Sequence, residues 1–158
     1  MTVPVQKPGR SSRQDYRTPK EFLAAVKRLL EIDEFAVDLA ASALNTVAKK
    51  YHTETVTQAW DHWGTDWAWL NPPYAHIGLW VEKAYLAHMN IAMLVPASAG
   101  ANWWKEWVHR KAKVLFLNGR LAFMPEKPKW LYIKDCALLL YGPSAEAYPA
   151  YDIWTWRS

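Results

Sequence analysis

The chain has 158 residues, 19 Lys and Arg against 15 Asp and Glu, a net charge of +4, one Cys and eleven Trp. That length suits one domain with one sizeable core. With 51% hydrophobic and 22% charged residues the composition excludes wholesale disorder, and a lone Cys excludes an internal disulfide or a Cys-rich zinc site.

No run approaches about 20 apolar residues, so no membrane-spanning helix is expected. The polar, basic first segment lacks the apolar core of a signal peptide, and the expected setting is cytoplasmic. Residues 1–13 (MTVPVQKPGRSSR) have no periodicity and read as a flexible basic arm ahead of a compact domain over residues 14–158. Thr18-Pro19-Lys20-Glu21 offers a hydroxyl at the N-cap, Pro at the first helical position and Glu at the third, so a helix is expected to begin near Thr18. Phe22, Ala25, Val26, Leu29 and Leu30 follow at helical spacing. Phe35 to Leu39 reads as a short buried strand. Ser42 to Tyr51 fits neither period cleanly, with a helical turn as one reading. Asp66 to Leu70 is a strand stopped by Asn71-Pro72-Pro73, and Ile77 to Met89 is a helix with Leu79, Trp80, Ala84 and Ala87 on its apolar side.

Ile91 to Val95 is a continuous apolar run ended by Pro96, as in an interior strand. A helix over Asn102 to His109 and a strand over Lys113 to Leu117 follow. Asn118-Gly119 signals a turn, with Arg120 to Phe123 as the strand's short partner. Met124 to Lys134, rich in Pro and Lys, reads as a loop. Cys136 to Tyr141 is the last clear strand, and the Tyr- and Trp-rich tail shows no pattern. Strands alternating with helices predict an α/β fold with a mostly parallel sheet and helices on both faces. Such sheets take ligands at the carboxyl ends of strands, where Asp38 and Asn71 both fall.

Charge is segregated along the chain. Residues 1–20 carry five basic groups and one acid, residues 21–104 five and nine, residues 105–134 eight and two, and residues 135–158 one and three. Two basic segments meeting on one face would make a groove for a polyanion. Lys105, Arg110, Lys111 and Lys113 are candidates for a phosphate-tracking face, and Arg120 is a further candidate contact. Eight of the eleven Trp lie between Trp60 and Trp107. Most read as core, while an exposed indole can stack on a flat ligand. The five His form no metal-ligand pattern with Cys136, so no metal is expected.

Asn71-Pro72-Pro73-Tyr74 carries the most chemistry. Two consecutive prolines donate no backbone hydrogen bonds and fix the shape of the turn. The Asn71 side-chain oxygen and the Pro72 carbonyl can each accept a hydrogen bond from an exocyclic amine, and Tyr74 can stack on the ring that bears it. Such neutral acceptors aim a nitrogen lone pair rather than remove its proton.

Asn71-Pro72-Pro73-Tyr74 resembles the Asp/Asn-Pro-Pro-aromatic motif of S-adenosylmethionine-dependent amino methyltransferases. Gln14-Asp15-Tyr16-Arg17-Thr18-Pro19 resembles the Q-x-x-x-T-P entry segment of phage-type DNA N6-adenine methyltransferases, and Asp38 through Asn45 resembles their D-x-x-A-S-x-x-N segment. Trp69 to Tyr74, Trp80 to Ala84, Met93 to Ala97 and Gly119 to Phe123 are similar in the same order. The resemblance implies one Rossmann-like methyltransferase domain, S-adenosylmethionine as cofactor and DNA as partner. It implies that Thr18 and Pro19 line the cofactor's methionine end and that Asp38 meets its amino-acid portion. Ala40 stands where a Gly-rich turn is usual, and it joins Asn71 in the implied cofactor-binding set. Asn71, Pro72, Pro73 and Tyr74 become the catalytic loop, methylating adenine N6. Other acceptors for the same chemistry are RNA or a protein amide, and a non-catalytic DNA-binding module is a further reading. Asp61 and Asp66 are weak candidates for the ribose-binding acid. With no room for a separate target-recognition domain, a short or relaxed target is expected.

Overall fold

The structure is a computed structural model, and it describes residues 16–41, 46–53, 59–60, 64–125 and 132–157. The basic arm, Gln14-Asp15, Ser42 to Asn45, Asp61 and most of the Lys-rich stretch after Pro125 lie outside the described residues. The elements in chain order are β1 (Tyr16–Arg17), α1 (Lys20–Leu30), β2 (Val37–Asp38), β3 (Ala68–Leu70), α2 (Ile77–Leu86), β4 (Ile91–Pro96), α3 (Asn102–Trp107), β5 (Lys113–Asn118), β6 (Leu121–Pro125), β7 (Tyr132–Lys134), β8 (Cys136–Tyr141), a 3₁₀ turn (Pro143–Ala147) and β9 (Tyr151–Thr155).

Six strands form the main sheet in the order β2-β3-β4-β8-β5-β9. β2, β3 and β4 pair in parallel, β8 is antiparallel to both β4 and β5, and β9 is parallel to β5. Among the described residues β8 therefore runs against the other strands of this sheet, which is mostly parallel as expected. The alternation of side chains along β4 sorts the core into two layers. Ala92 and Leu94 join Phe22, Ala25, Val26 and Leu30 of α1, while Ile91, Met93 and Val95 join Trp80, Val81 and Ala84 of α2 and Trp104 of α3. Helices thus cover both faces.

Several local expectations change. α1 begins at Lys20, Pro19 is its N-cap and no side chain caps it; the Thr18 hydroxyl bonds Asn71 instead. On α2 the buried positions are Trp80, Val81 and Ala84, and Leu79 is exposed. At about 100° per residue, Leu79 falls away from the face that those three share. The 120–123 segment is not the partner of β5. Both edges of β5 are taken by β8 and β9, so β6 leaves the sheet at Gly119 (φ 111°). It forms a second, three-stranded sheet in the order β1-β6-β7. The expected loop after Met124 thus includes β7, and the patternless tail supplies β9. The ambiguous Ser42–Tyr51 stretch ends on the outer edge of β2, where Tyr51 bridges Asp38 in parallel and His52 N–H donates to the Asp38 carbonyl at 2.7 Å.

At the end where β3 and β4 begin, Asn90 is buried and fully used. Its Nδ2 donates to the Thr65 carbonyl (2.9 Å) and to Ser144 Oγ (2.8 Å), and its Oδ1 accepts from Ser144 N–H (2.9 Å). Gly142 lies against this cluster with φ 99°, and a Cβ there would stand 2.3 Å from the Met89 carbonyl oxygen. Gly142→Ala is expected to cost about 2–3 kcal/mol, whereas Gly100→Ala, with open space around it, should stay within roughly 0.5 kcal/mol. Urea unfolding of the two variants checks the contrast.

Candidate active site at the carboxyl ends of the parallel strands

β2 ends in Asp38, β3 runs directly into Asn71, and β4 ends at Pro96. Because these strands are parallel neighbours, all three ends lie on one edge of the sheet. Asp38 is 2% exposed. Its Oδ1 accepts from Ala40 N–H (3.2 Å) and its Oδ2 from Val47 N–H (3.0 Å). The carboxylate therefore holds the turn that follows β2, where the chain has Ala40 and Ala41 in place of glycines.

Asn71 is 4% exposed, and its Nδ2 donates to Thr18 Oγ1 at 2.8 Å. This bond joins the segment before α1 to the end of β3. Turning the amide nitrogen toward Thr18 reserves Oδ1 as an acceptor, the role expected of it for a substrate amine. Pro72 is buried, and Pro73 and Tyr74 are half-buried. The Lys134 Nζ stands 5.4 Å from the centroid of the Tyr74 ring, within cation–π range. The Tyr74 hydroxyl hydrogen-bonds the Cys136 thiol. Burial pushes that thiol up to about 12, so it stays neutral and is no nucleophile.

The structure brings Thr18, Pro19, Asp38, Ala40 and Asn71 to Tyr74 to this edge. Arg120 is near it too, since β5 ends and β8 begins there; Arg120 Nε is paired with Asp135 Oδ1 at 2.8 Å. Arg110 and Lys111 are elsewhere. β5 is parallel to β4, so the 108–112 turn that precedes it lies at the opposite end of the sheet. There Tyr141 donates to the Trp107 carbonyl (2.6 Å) and Lys111 Nζ sits 5.7 Å from the Tyr85 ring. Lys105 is exposed on α3, between the two ends. The sequence suggests Lys134 only as part of a Lys-rich loop, residues 125–134, that with the basic arm would read the DNA target, and neither that loop nor a lone Cys signals a contact with Tyr74.

The tryptophans divide. Trp67 and Trp69 are buried on the α1 side, and Trp80 and Trp104 on the other. Trp60 stacks on Trp80 with centroids 6.3 Å apart and lies under Lys83 Nζ at 4.4 Å. Burial lowers the Lys83 ammonium below its ordinary value. No cluster of His, Cys, Asp and Glu able to hold a metal occurs among the described residues, and none of their helices is long and apolar enough to cross a membrane.

The family described as DNA N-6-adenine-methyltransferase (Dam) matches residues 7–135. A DNA N-6-adenine-methyltransferase of Escherichia phage T1 is 30% identical over 114 residues, covering 70% of this chain and 47% of the relative. The chain thus spans about half the length of the curated relative it matches. No solved structure matches. The chain belongs to the Dam family.

Asp38→Ala leaves the Ala40 and Val47 N–H groups without their acceptor and is expected to cost about 1–3 kcal/mol, with Asp38→Asn losing less; thermal unfolding measures both. Cys136 should stay unreactive toward a disulfide reagent at pH 8 in the folded protein and react stoichiometrically in urea. Rapid native labelling would contradict a buried, protonated thiol.

Proposed function

We propose that this Dam family member transfers a methyl group from S-adenosylmethionine to the N6 amine of adenine in DNA. The observation that carries the reading is Asn71, fixed at the carboxyl end of β3 with its amide nitrogen turned to Thr18. The name of the phage relative supports the acceptor. Parallel strands β2, β3 and β4 under helices on both faces support a Rossmann-like methyltransferase domain.

The residues present fit the cofactor. The small side chains of Ala40 and Ala41 allow close approach of a ligand to the turn after β2, Asp38 places a buried carboxylate charge at that turn, and Thr18 and Pro19 stand beside Asn71. S-adenosylmethionine supplies an electrophilic sulfonium methyl. The protein's own contribution is positional. Asn71 Oδ1 and the Pro72 carbonyl accept hydrogen bonds from the adenine amine and aim its lone pair, and Tyr74 stacks on the purine. Neither acceptor is basic enough to deprotonate the amine, so the proton leaves after the methyl is transferred. In a duplex the adenine must leave the stack to reach this edge. DNA phosphates nearest the site meet Arg120, with Lys105, Arg110 and Lys111 proposed as more distant contacts.

The test is labelled S-adenosylmethionine with plasmid DNA grown without adenine methylation, alongside RNA and protein acceptors. Label in DNA as N6-methyladenine is expected, and Asn71→Ala should lose about 100-fold in turnover while the cofactor still raises the melting temperature. No label in DNA, with the cofactor demonstrably bound, would sink the reading.

A further inference from the structure

Tyr74 is more constrained than its place in a surface loop requires. Its hydroxyl donates to the Cys136 sulfur, and the Cys136 thiol in turn donates to the Lys134 carbonyl at 3.6 Å. The Lys134 side chain comes back over the ring, with Nζ 5.4 Å from the centroid. The contacts form a closed circuit: hydroxyl to sulfur, thiol to carbonyl, ammonium to ring. Cys136 is 2% exposed at the start of β8, in a strand buried on both faces, so the sulfur is a fixed point. Lys134 ends β7, and β7 pairs with β6 through Leu121↔Lys134. The circuit therefore ties the catalytic-loop aromatic to both the main sheet and the second sheet.

We infer that Lys134 and Cys136 are positioning residues, which hold the Tyr74 ring in one orientation for stacking on the target base. The inference rests on the proposed methyl transfer for its purpose, and on the three contacts for its geometry. A ring held at its hydroxyl cannot swing about the Cα–Cβ bond, and a cation on its face resists rotation of the ring. Stacking on a ring already in place costs the incoming base less ordering entropy, which is the general advantage of a preorganised site. A Lys at such a place could instead bind a DNA phosphate, and the two roles separate experimentally. A phosphate contact contributes to the salt dependence of DNA binding, and a positioning contact does not.

The experiment uses the full chain with Lys134→Met, Lys134→Arg, Cys136→Ala and Cys136→Ser. K134M and C136A should lower kcat about tenfold, part of the loss that a misplaced reacting group carries, with KM for S-adenosylmethionine unchanged. K134R, which keeps a cation over the ring, and C136S, which keeps a donor and acceptor, should recover most of it. The slope of log affinity for DNA against log salt should be the same in K134M and wild type. A slope reduced by about one makes Lys134 a phosphate contact and overturns the inference. A second readout does not depend on turnover. In protein labelled with 3-fluorotyrosine, the Tyr74 resonance is assigned by its loss in Tyr74→Phe. It should be a single line in wild type and K134R and should shift or broaden in K134M and C136A. An unchanged line in both variants also overturns the inference. Absence of methyl transfer by the wild type would remove the proposed function and leave the fluorine result to decide the circuit. Lys134 is only half-buried, so K134M decides the matter if C136A fails to fold.

Discussion

The antiparallel ladder between β4 and β8 constrains everything around it. Six residue pairs run from Ile91↔Tyr141 to Pro96↔Cys136, and every residue in them is buried. A ladder covered on both faces has no place for a polar side chain along its length, because an unpaired polar group there costs several kcal/mol. Polar chemistry is pushed to the ends of the strands. Among the described residues the buried polar or charged side chains are Asp38, Asn71 and Asn90, and each stands at a strand end. Asn90 serves one end as a structural knot. Asp38 and Asn71 stand at the other, at the carboxyl ends of the parallel strands, the end at which open sheets of this kind commonly take ligands.

The two residues at the carboxyl ends resolve burial differently. Asp38 uses both oxygens on backbone amides and so shapes the turn after β2. Asn71 uses only its nitrogen, on Thr18. The sequence offers the same hydroxyl as a cap for α1, but α1 starts after Pro19 without a side-chain cap. An absent cap costs a helix about 1 kcal/mol. The buried face of α1, with Phe22 and Val26 fully covered, easily carries that cost. Local helix chemistry yields to the orientation of a single amide.

The interior of the fold was legible and its edges were not. Ile91 to Val95 and Cys136 to Tyr141 announce themselves as continuous apolar runs, and the helical spacing of Phe22 to Leu30 marks α1. β9 has no such signature, since Tyr151 and Ile153 are both exposed on an edge strand. The pairing of β6 was misjudged because a turn signal at Asn118-Gly119 reports only the local bend. Which edge is free depends on β8 and β9, which come later in the chain. The placement of Asp38 and of Asn71 to Tyr74 at the carboxyl ends of β2 and β3 was readable from motif and position. Lys134 was not, because its meaning lies in a contact with a residue sixty positions earlier.

Topology also rearranges the charge that the sequence segregates. The described part of the basic segment over residues 105–134 leaves the Asn71 end along α3, returns along β5 and continues into the second sheet. Arg110 and Lys111 thus belong to the far end of the sheet, and Lys111 lies against the Tyr85 and Trp107 rings. Arg120 and Lys134 belong to the near end, and there Asp135 offsets Arg120. Exposed pairs of that kind contribute little to stability, so Asp135 acts chiefly on the local field. Among the described residues the segment's charge is spread along the molecule rather than gathered at one end of the sheet. Screening over about 10 Å at ordinary salt weakens what the far end can add. For the proposed methyl transfer, Asn71 Oδ1 and the Pro72 carbonyl contribute as neutral acceptors, whose work is to aim a lone pair and does not depend on that charge.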